Sequence, residues 1–380
     1  MSNALRRVFI AGTGSFLPNE PVPNARIDEV LGLLTGAPDR VQSFIRTIGT
    51  RMLATSGIEQ RHFAIDPVTG WLTHTVADLA AHACRRALED AGMGAADVDL
   101  IILASPNYDE STPPTSALLQ EKLGIETCAE MEIHSNCSGV GKSVQIAYDA
   151  LRVGRYRTAL VVYPQLSSVY LRAAYLNPAR VTKKHAALRY ILADGSGAVV
   201  LRSSQAASGE PLSREIVGTF IESVGGRLPP GMTAGGGVAN LTDPARQTQH
   251  IYEQGLHHLD QDFAAVNRDA GRLLLEGIAR MIDRLGIDRG LIEHFILSIP
   301  SMQLYDDGLK RFMEYLNCSP DEVRRRIKFR ARNTGYCGGA SILLHLDEMA
   351  RDGEVRAGEW AVVHSVESSK WMTGGFVVRW

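Results

Sequence analysis

Residues 132 to 143, EIHSNCSGVGKS, contain two features that could do chemistry, a cysteine and the letters GVGKS. The final Gly-Lys-Ser resembles the end of a phosphate-binding loop, in which backbone N–H groups wrap the phosphates. Such a loop needs a second glycine five positions before Gly141, and Asn136 stands there instead. The alternative is a nucleophilic thiol at Cys137. The elements around this residue must decide between a nucleophile and a small core residue.

The sequence places Cys137 between a strand and a helix. The preceding residues, EMEIHSN, have a strand pattern, and the apolar residues that follow recur at helical spacing. A helix start offers free N–H groups and the positive end of the macrodipole, which lower the pKa of a thiol. Such a thiolate is a nucleophile, and a backbone N–H beside it can hold an oxyanion. The favoured interpretation of the other cysteines is that they are inert core residues: Cys84, Cys128, Cys318 and Cys337.

The composition excludes several classes of protein. The chain has 380 residues, of which 45% are hydrophobic and 22% charged, and this predicts a globular protein with one large core or two fused halves. A net charge of −2 gives no overall electrostatic reason to bind nucleic acid or a membrane. The cysteines lack CxxC spacing, no metal site is expected, and no apolar run reaches the ~20 residues that span a bilayer. Because the first residues run directly into a strand pattern, we expect a cytoplasmic protein.

The hydrophobic pattern repeats once along the chain. A helix closed by Gly92 and followed by the strand DLIILAS has a counterpart in the helix RLLLEGIARMIDRLGI and the strand EHFILSIPS. The interval from Cys137 to Gly154 equals that from Tyr336 to Gly353. Strands alternating with helices predict parallel sheets covered by helices, in two pseudo-symmetric α/β halves at 1–205 and 206–380. Cys137 and Tyr336 are then expected to face each other across the pseudo-twofold axis.

Six segments occur in an order that resembles the β-ketoacyl-ACP synthase III family of thiolase-fold condensing enzymes. They are RVFIAGTGSFLPNEPVPN, TSGIEQRHFA, VDLIILASPNYDESTPPTSALLQEKLG, HSNCSGVGKSVQIAYDAL, ILADGSGAVVL and WMTGGFVVRW. The resemblance implies a five-layered αβαβα thiolase fold. It also implies that Cys137 takes an acyl group from a phosphopantetheine thioester, on acyl carrier protein or coenzyme A, and passes it to a small-molecule acceptor. No tightly bound cofactor is expected.

The family's histidine and asparagine, which hold the enolate formed when malonyl loses carbon dioxide, are replaced or displaced. Aligned without a gap, Ser298 stands at the histidine position, and a serine is neither a cation nor a proton acceptor at neutral pH. The stretch NTGYCGGAS allows two registers at the asparagine position. Asn333 matches by letters, whereas the ungapped register and the repeat spacing favour Tyr336.

Other positions of the family's site also differ. The tryptophan and arginine that clasp the coenzyme A adenine correspond to Arg51 and Thr55, which puts recognition of free coenzyme A in doubt. The oxyanion glycine corresponds to Ser369, whose backbone N–H can act together with that of Cys137. The resemblance further suggests substrate contacts at Ser301 and Thr115.

Without the two enolate-holding groups, acyl transfer is the expected chemistry. Candidate replacements for the missing base are His134, on the strand before the thiol, and Glu367, beside Ser369, while Tyr336 can donate a hydrogen bond. We therefore expect a synthase III-like acyltransferase of specialised metabolism. A divergent decarboxylating synthase and a non-catalytic partner subunit of a heterodimer remain alternatives.

The resemblance also predicts a homodimer that pairs through the strand preceding Cys137. Two segments without a place in the family pattern, 33–54 and 224–265, are candidate insertions that cap the substrate tunnel or shape a partner surface.

Overall fold

The computed structural model describes residues 5–204 and 213–380. Its strands are β1 Arg7–Phe16, β2 Val22–Pro23, β3 Gln60–Arg61, β4 Leu100–Ser105, β5 Ala129–His134, β6 Thr158–Leu166, β7 Asp194–Ser204, β8 Glu215–Ser223, β9 Met232–Thr233, β10 Asp260–Gln261, β11 Ile292–Leu297, β12 Trp360–Glu367 and β13 Met372–Arg379. Its α-helices are α1 Ile27–Leu31, α2 Asp39–Phe44, α3 Thr50–Thr55, α4 Val76–Asp90, α5 Thr115–Leu123, α6 Gly139–Arg152, α7 Ser168–Leu171, α8 Lys183–Leu188, α9 Thr248–Glu253, α10 Phe263–Leu285, α11 Met302–Leu316, α12 Pro320–Arg326 and α13 Ala340–Arg351.

The large sheet consists of two strand groups joined edge to edge. Its order is β11-β12-β13-β8-β1-β7-β6-β4-β5, and the groups meet where β1 pairs with β8 at Phe9 and Glu215. In the first group β5, β4 and β6 are parallel, while β7 and β1 are antiparallel to their neighbours. Every residue of β4 and β6 is buried, as expected for strands covered by helices on both faces.

The helices form three layers around these strands. Helices α6 and α13 pack between the two strand groups and contact both of them. Helix α4 covers the outer face of the first group, against β1, β7 and β6, and α10 covers the second, against β12, β13 and β8. Each buries an apolar stripe, and a capping box between Thr75 and Asp78 begins α4. The layers therefore alternate as αβαβα, and the predicted five-layered arrangement is confirmed.

The internal repeat is visible in the two central helices. Both α6 and α13 end at a glycine with positive φ, Gly154 at 73° and Gly353 at 65°, where the chain turns into a buried strand. The repeat is incomplete. The first half has strand β5 before its central helix, whereas the equivalent residues of the second half, 328–335, form loop and turn. The predicted boundary between residues 205 and 206 lies outside the described residues, so the division at that point stays a prediction.

The two predicted insertions contain short elements. Segment 33–54 includes α2, a π-helical turn at Ile45–Gly49 and most of α3. Segment 224–265 includes β9, α9, β10 and the first turn of α10. In the part of the chain that the structure describes, no helix combines the length and the apolar character needed to cross a bilayer.

Candidate active site

Cys137 lies in the turn that joins β5 to α6. Ser138 is the N-cap residue of α6, and the carbonyl oxygen of Cys137 accepts a hydrogen bond of 2.8 Å from the Ser365 hydroxyl on β12. The glycines after the thiol serve packing, because a Cβ at Gly141 would lie 2.5 Å from the carbonyl carbon of Gly374 on β13. Close packing of α6 against the sheet therefore explains the glycine at position 141 without a bound phosphate. Of the two interpretations of this segment, the nucleophilic thiol is the better supported.

The thiol is the first member of a hydrogen-bond chain. Its Sγ lies 3.1 Å from the Tyr336 hydroxyl, which lies 2.8 Å from Ser298 Oγ. Ser298 in turn donates to the carbonyl oxygen of Gly338 at 3.3 Å. The two residues predicted to replace the family's histidine and asparagine therefore contact each other, and Tyr336 contacts the thiol. Both offer neutral hydroxyl groups.

Backbone pairing fixes Tyr336 opposite the thiol. Its N–H donates to the Ile191 carbonyl at 3.1 Å, and its own carbonyl accepts from Ala193 at 3.0 Å. Asn333 is exposed three positions earlier. Tyr336, and not Asn333, therefore lies beside the thiol, while its assignment to the family's asparagine position stays a prediction.

The thiol is more protonated than a helix start alone predicts. The pKa of Cys137 is raised to about 11, chiefly by burial and also by the nearby Glu367 charge, while the hydrogen bond from Tyr336 lowers it. The shift is opposite in direction to the one expected from a helix start, because burial disfavours the charged thiolate. Burial also raises the pKa of the Tyr336 phenol well above its usual value. Tyr336 therefore stays neutral and is able to donate a hydrogen bond.

Glu367, a predicted candidate base, lies in a cluster of polar side chains beside the thiol. Its Oε2 accepts hydrogen bonds from Ser135 at 2.7 Å and Ser138 at 2.5 Å, and its Oε1 accepts one of 2.5 Å from Ser369. The ammonium of Lys142 lies 3.9 Å from Oε2. Burial alone would raise the pKa of Glu367, but the hydroxyl donors and the lysine charge hold it below the usual value. The carboxylate is therefore ionised at neutral pH.

The other predicted residues are more dispersed. His134 is exposed at the end of β5, on the cavity lining, with its ring 6.5 Å from that of Tyr108. Ser301 caps α11 and also lines the cavity. Arg51 is exposed on α3. Thr115 is fully buried at the start of α5, where its hydroxyl accepts from the Asp109 N–H at 3.2 Å. Thr115 is not among the residues that line the cavity, and the substrate contact expected at this residue stays a prediction.

A cavity of about 1490 Å³ surrounds the thiol. This is larger than the roughly 300–1,000 Å³ typical of small-molecule sites. Both candidate insertions contribute to its walls, through Phe44 and Met52 from the first and Gly235, Gly236 and His257 from the second. The prediction that these segments cap the tunnel is consistent with this placement. Among the described residues, no group of three or more His, Cys, Asp or Glu side chains is arranged to hold a metal ion.

Three polar residues of this site were missed by sequence reasoning: Lys142, Ser135 and Ser138. Lys142 was noticed only as part of the Gly-Lys-Ser letters. Its partner Glu367 is distant in sequence, and no local signal connects them. Serine at two positions flanking the thiol was the available hint, since serine is a common donor to a buried carboxylate.

Comparison with known proteins relates this chain to condensing enzymes. The family model for 3-oxoacyl-[acyl-carrier-protein] synthase III matches residues 131–219. The β-ketoacyl-[acyl-carrier-protein] synthase III of Cereibacter sphaeroides is 25% identical over 375 residues, covering 98% of this chain and 99% of that protein.

Solved structures agree over nearly the whole chain. AbyA1, a tetronic acid condensing enzyme, matches with a TM-score of 0.76 at 25% identity, covering 98% of this chain and 100% of that one. The synthase III FabH from Pseudomonas aeruginosa matches with a TM-score of 0.75 at 22% identity, covering 99% and 98%. The protein has the thiolase fold of these condensing enzymes. In sequence it is similar to β-ketoacyl-ACP synthase III.

Proposed function

We propose that the protein is an acyltransferase that works through an acyl-Cys137 thioester. The donor is a phosphopantetheine thioester, carried by acyl carrier protein or coenzyme A, and the acceptor is a small molecule. The observation that carries this proposal is the contact of the Cys137 thiol with Tyr336 and Ser298 inside a large cavity. The site combines a nucleophile with neutral hydroxyl donors. Acyl transfer needs no more than a thiolate, an oxyanion site and an acceptor that loses a proton.

The first half-reaction forms a new thioester at Cys137. The sulfur attacks the donor carbonyl, a tetrahedral oxyanion forms, and the phosphopantetheine thiol leaves with a proton as the carbonyl is restored. When the Cys137 proton departs, Tyr336 can turn its hydroxyl hydrogen toward the thiolate while Ser298 donates to the Tyr336 oxygen. The distances of 3.1 and 2.8 Å suit both directions of this chain. Two neutral hydroxyl groups thus stabilise the nucleophile without a cation.

The second half-reaction transfers the acyl group to the acceptor. The acceptor attacks the acyl-Cys137 carbonyl through a second tetrahedral oxyanion, loses its proton, and the Cys137 thiolate leaves and is reprotonated. We infer that decarboxylation of a malonyl donor is slow, because Ser298 and Tyr336 replace the groups that hold an enolate. Each positioned donor to a developing charge is worth roughly 3–4 kcal/mol, or about 100- to 1,000-fold in rate.

We further propose a homodimer that pairs along β5. This strand ends the nine-strand order, and all six of its residues are exposed or only partly buried, with Met131 exposed. An edge strand with an exposed apolar residue presents unpaired backbone groups that a second copy can complete.

Intact-mass spectrometry tests the acyl-enzyme directly. Wild-type protein incubated with acyl-carrier protein or acyl-coenzyme A thioesters should gain the mass of one acyl group. Cys137→Ala should gain none, whereas Cys318→Ala, which removes a partly buried cysteine elsewhere, should behave as wild type. An adduct that persists in Cys137→Ala would contradict the assignment. A wild-type protein that accepts no acyl group from any thioester would favour the non-catalytic partner subunit.

A further inference from the structure

A buried charged cluster beside the thiol has no role in the steps above. It consists of one carboxylate, one ammonium and three hydroxyl groups, and its centre, Glu367, is 6% exposed. A carboxylate buried this far is costly unless hydrogen bonds and an opposite charge compensate it. Because the cluster lies next to the reacting sulfur, a functional role is a better explanation for it than a contribution to folding stability. Its members are Glu367, Lys142, Ser135, Ser138 and Ser369.

The Glu367 carboxylate accepts hydrogen bonds from two turns that lie beside the thiol. Ser135 and Ser138, which flank Cys137 in the turn between β5 and α6, both donate to Oε2 of Glu367. Ser369, in the turn between β12 and β13, donates to Oε1. A single side chain therefore joins the nucleophile turn to a turn from the other half of the repeat.

Lys142 completes this arrangement from one turn further along α6. Its Nζ donates to the Ser135 hydroxyl at 2.7 Å and lies 3.9 Å from Glu367 Oε2. The lysine charge offsets part of the cost of the buried carboxylate. With three hydroxyl donors and an ammonium around it, the Glu367 carboxylate is well stabilised, which makes it a weak proton acceptor.

We propose that Glu367 is a positioning residue, which fixes the backbone N–H groups of Ser369 and Cys137 so that both point at the oxyanion of the tetrahedral intermediates. Among the described residues outside helices and strands, neither N–H donates to a backbone carbonyl, and the Cys137 N–H lies against its own sulfur, where an oxyanion would form. Oxyanion donors must be held within a few tenths of an ångström, and a misplacement of 1 Å can cost about 100-fold in rate. The carboxylate performs this role by holding both turns at once. This inference rests on the proposed acyl-Cys137 chemistry.

A positioning residue and a general base affect different steps of the reaction. A base for the acceptor acts in the second half-reaction alone, so its loss leaves acylation unchanged. An oxyanion site acts in both half-reactions, because each passes through a tetrahedral intermediate. Loss of Glu367 should therefore slow acylation of Cys137 as well as transfer.

Alkylation by iodoacetamide supplies a second readout, because displacement at a methylene carbon forms no oxyanion. Alkylation depends on the thiolate fraction. The ionisable side chains around the Cys137 thiol are Glu367, Lys142, Tyr336 and Tyr163. Removing the Glu367 charge should shift the alkylation profile of Cys137 to lower pH, since that charge disfavours the thiolate. The same substitution is expected to speed alkylation and to slow acylation.

The experiment uses three variants. The rate of acylation is measured by intact-mass spectrometry of quenched samples, and the rate of alkylation is measured from pH 7 to pH 10. Glu367→Gln should slow acylation by about 100-fold and shift alkylation to lower pH. Ser369→Ala removes one tether while the charge stays, so acylation should fall and alkylation should keep the wild-type profile. Ser368→Ala, a matched serine in the same turn, should match wild type in both assays. A thermal melt of each variant identifies any that fails to fold.

The outcomes separate this inference from the proposed function. Equal acylation rates in wild type and Glu367→Gln would overturn the positioning role, and a loss confined to the transfer step would reassign Glu367 as a base. If Glu367→Gln does not fold, an unchanged acylation rate in Ser369→Ala overturns the inference by itself. A wild-type protein without any adduct contradicts the proposed function, and this inference with it.

Discussion

The Tyr336 hydroxyl lies 3.1 Å from the Cys137 thiol, so that the equivalent helix starts of the two halves meet in one site. The contact follows from the internal repeat, because α6 and α13 are pseudo-symmetric helices packed between the two strand groups. The thiol at one helix start faces a phenol at the other. The chemistry of the site is therefore that of a protonated thiol assisted by neutral donors.

The reactivity of Cys137 should rise steeply with pH. With a thiol pKa of about 11, only about one molecule in 10,000 carries the thiolate at pH 7, and this fraction grows about tenfold for each pH unit up to the pKa. Iodoacetamide alkylation of Cys137, measured by mass, should therefore increase about 100-fold from pH 7 to pH 9. A cysteine peptide measured in parallel should level off near pH 9. A plateau for Cys137 between pH 7 and pH 8 would show that the thiol is ionised in the protein.

Replacing Tyr336 by phenylalanine should make the thiol less reactive. The substitution keeps the ring and removes the hydroxyl that lies against Sγ, so the thiolate loses a hydrogen-bond donor. Hydrogen bonds to charged groups contribute about 1.5–3 kcal/mol, which corresponds to a fall in acylation of roughly 10- to 100-fold.

Ser298→Ala serves as the graded comparison for Tyr336→Phe. Ser298 acts on the thiol through Tyr336 and by a weaker hydrogen bond of its own, so its loss should have the same sign and a smaller size. An acylation rate for Tyr336→Phe equal to that of wild type would remove Tyr336 from the mechanism. A larger loss in Ser298→Ala than in Tyr336→Phe would show that Ser298 contacts the substrate directly.

The GVG segment should be intolerant of a methyl group for a packing reason. A Cβ at Gly141 would lie 2.5 Å from the Gly374 carbonyl carbon, so α6 and β13 must separate. Overpacking of this kind costs about 1–3 kcal/mol, which should lower the midpoint of thermal unfolding in Gly141→Ala. Gly308→Ala, in α11 where a Cβ would meet no atom within 4 Å, should be neutral or slightly stabilising. Equal melting of Gly141→Ala and wild type would contradict the packing account.

The β5 edge should carry the homodimer contact. Light scattering at micromolar concentration is expected to give the mass of two chains. Met131→Arg places a charge on the exposed face of the edge strand and should shift the protein toward monomer, because charged side chains oppose edge pairing. A substitution on the opposite end of the sheet, Glu293→Arg at an exposed position of β11, provides the control. A monodisperse wild-type monomer contradicts this proposal.

The sequence predicted the parts of the site that rest on local pattern or on the repeat. The strand-to-helix turn that holds Cys137 is visible in its own hydrophobic pattern, and the equal spacing of the repeat favoured Tyr336 over Asn333. The fold followed from alternating strands and helices together with six segments in a familiar order. Each of these inferences uses residues that are close in sequence or in equivalent repeat positions.

The parts that the sequence did not predict depend on desolvation and on long-range contacts. A helix start predicts a lowered thiol pKa, but the burial of Cys137 by its surroundings is a property of the packed molecule. The pairing of Lys142 with Glu367 joins α6 to the end of β12, and neither residue carries a local signal for the other. Thr115 belongs to a familiar segment, yet the chain buries its hydroxyl against a neighbouring loop.

The protein should not catalyse efficient decarboxylation of a malonyl thioester. Ser298 and Tyr336 hydrogen-bond to each other and to the thiol, and neither is the cation or amide that holds an enolate in the family. Losing two positioned donors, at roughly 3–4 kcal/mol each, makes this route slow. Acyl-loaded protein given malonyl-carrier protein with a labelled carboxyl group should release little labelled carbon dioxide, whereas a synthase III with histidine and asparagine in place should release it readily.

The variants of this assay decide between the two chemistries. Fast release by wild type that disappears in Glu367→Gln or His134→Ala, while both variants still form the acyl-enzyme at the wild-type rate, would identify a substitute base and contradict the transferase proposal. Little release, together with transfer to an oxygen, nitrogen or preformed carbon nucleophile, is the expected result. Transfer should then require Cys137 and should be lost in Cys137→Ala, because the acyl group reaches every acceptor through the same thioester.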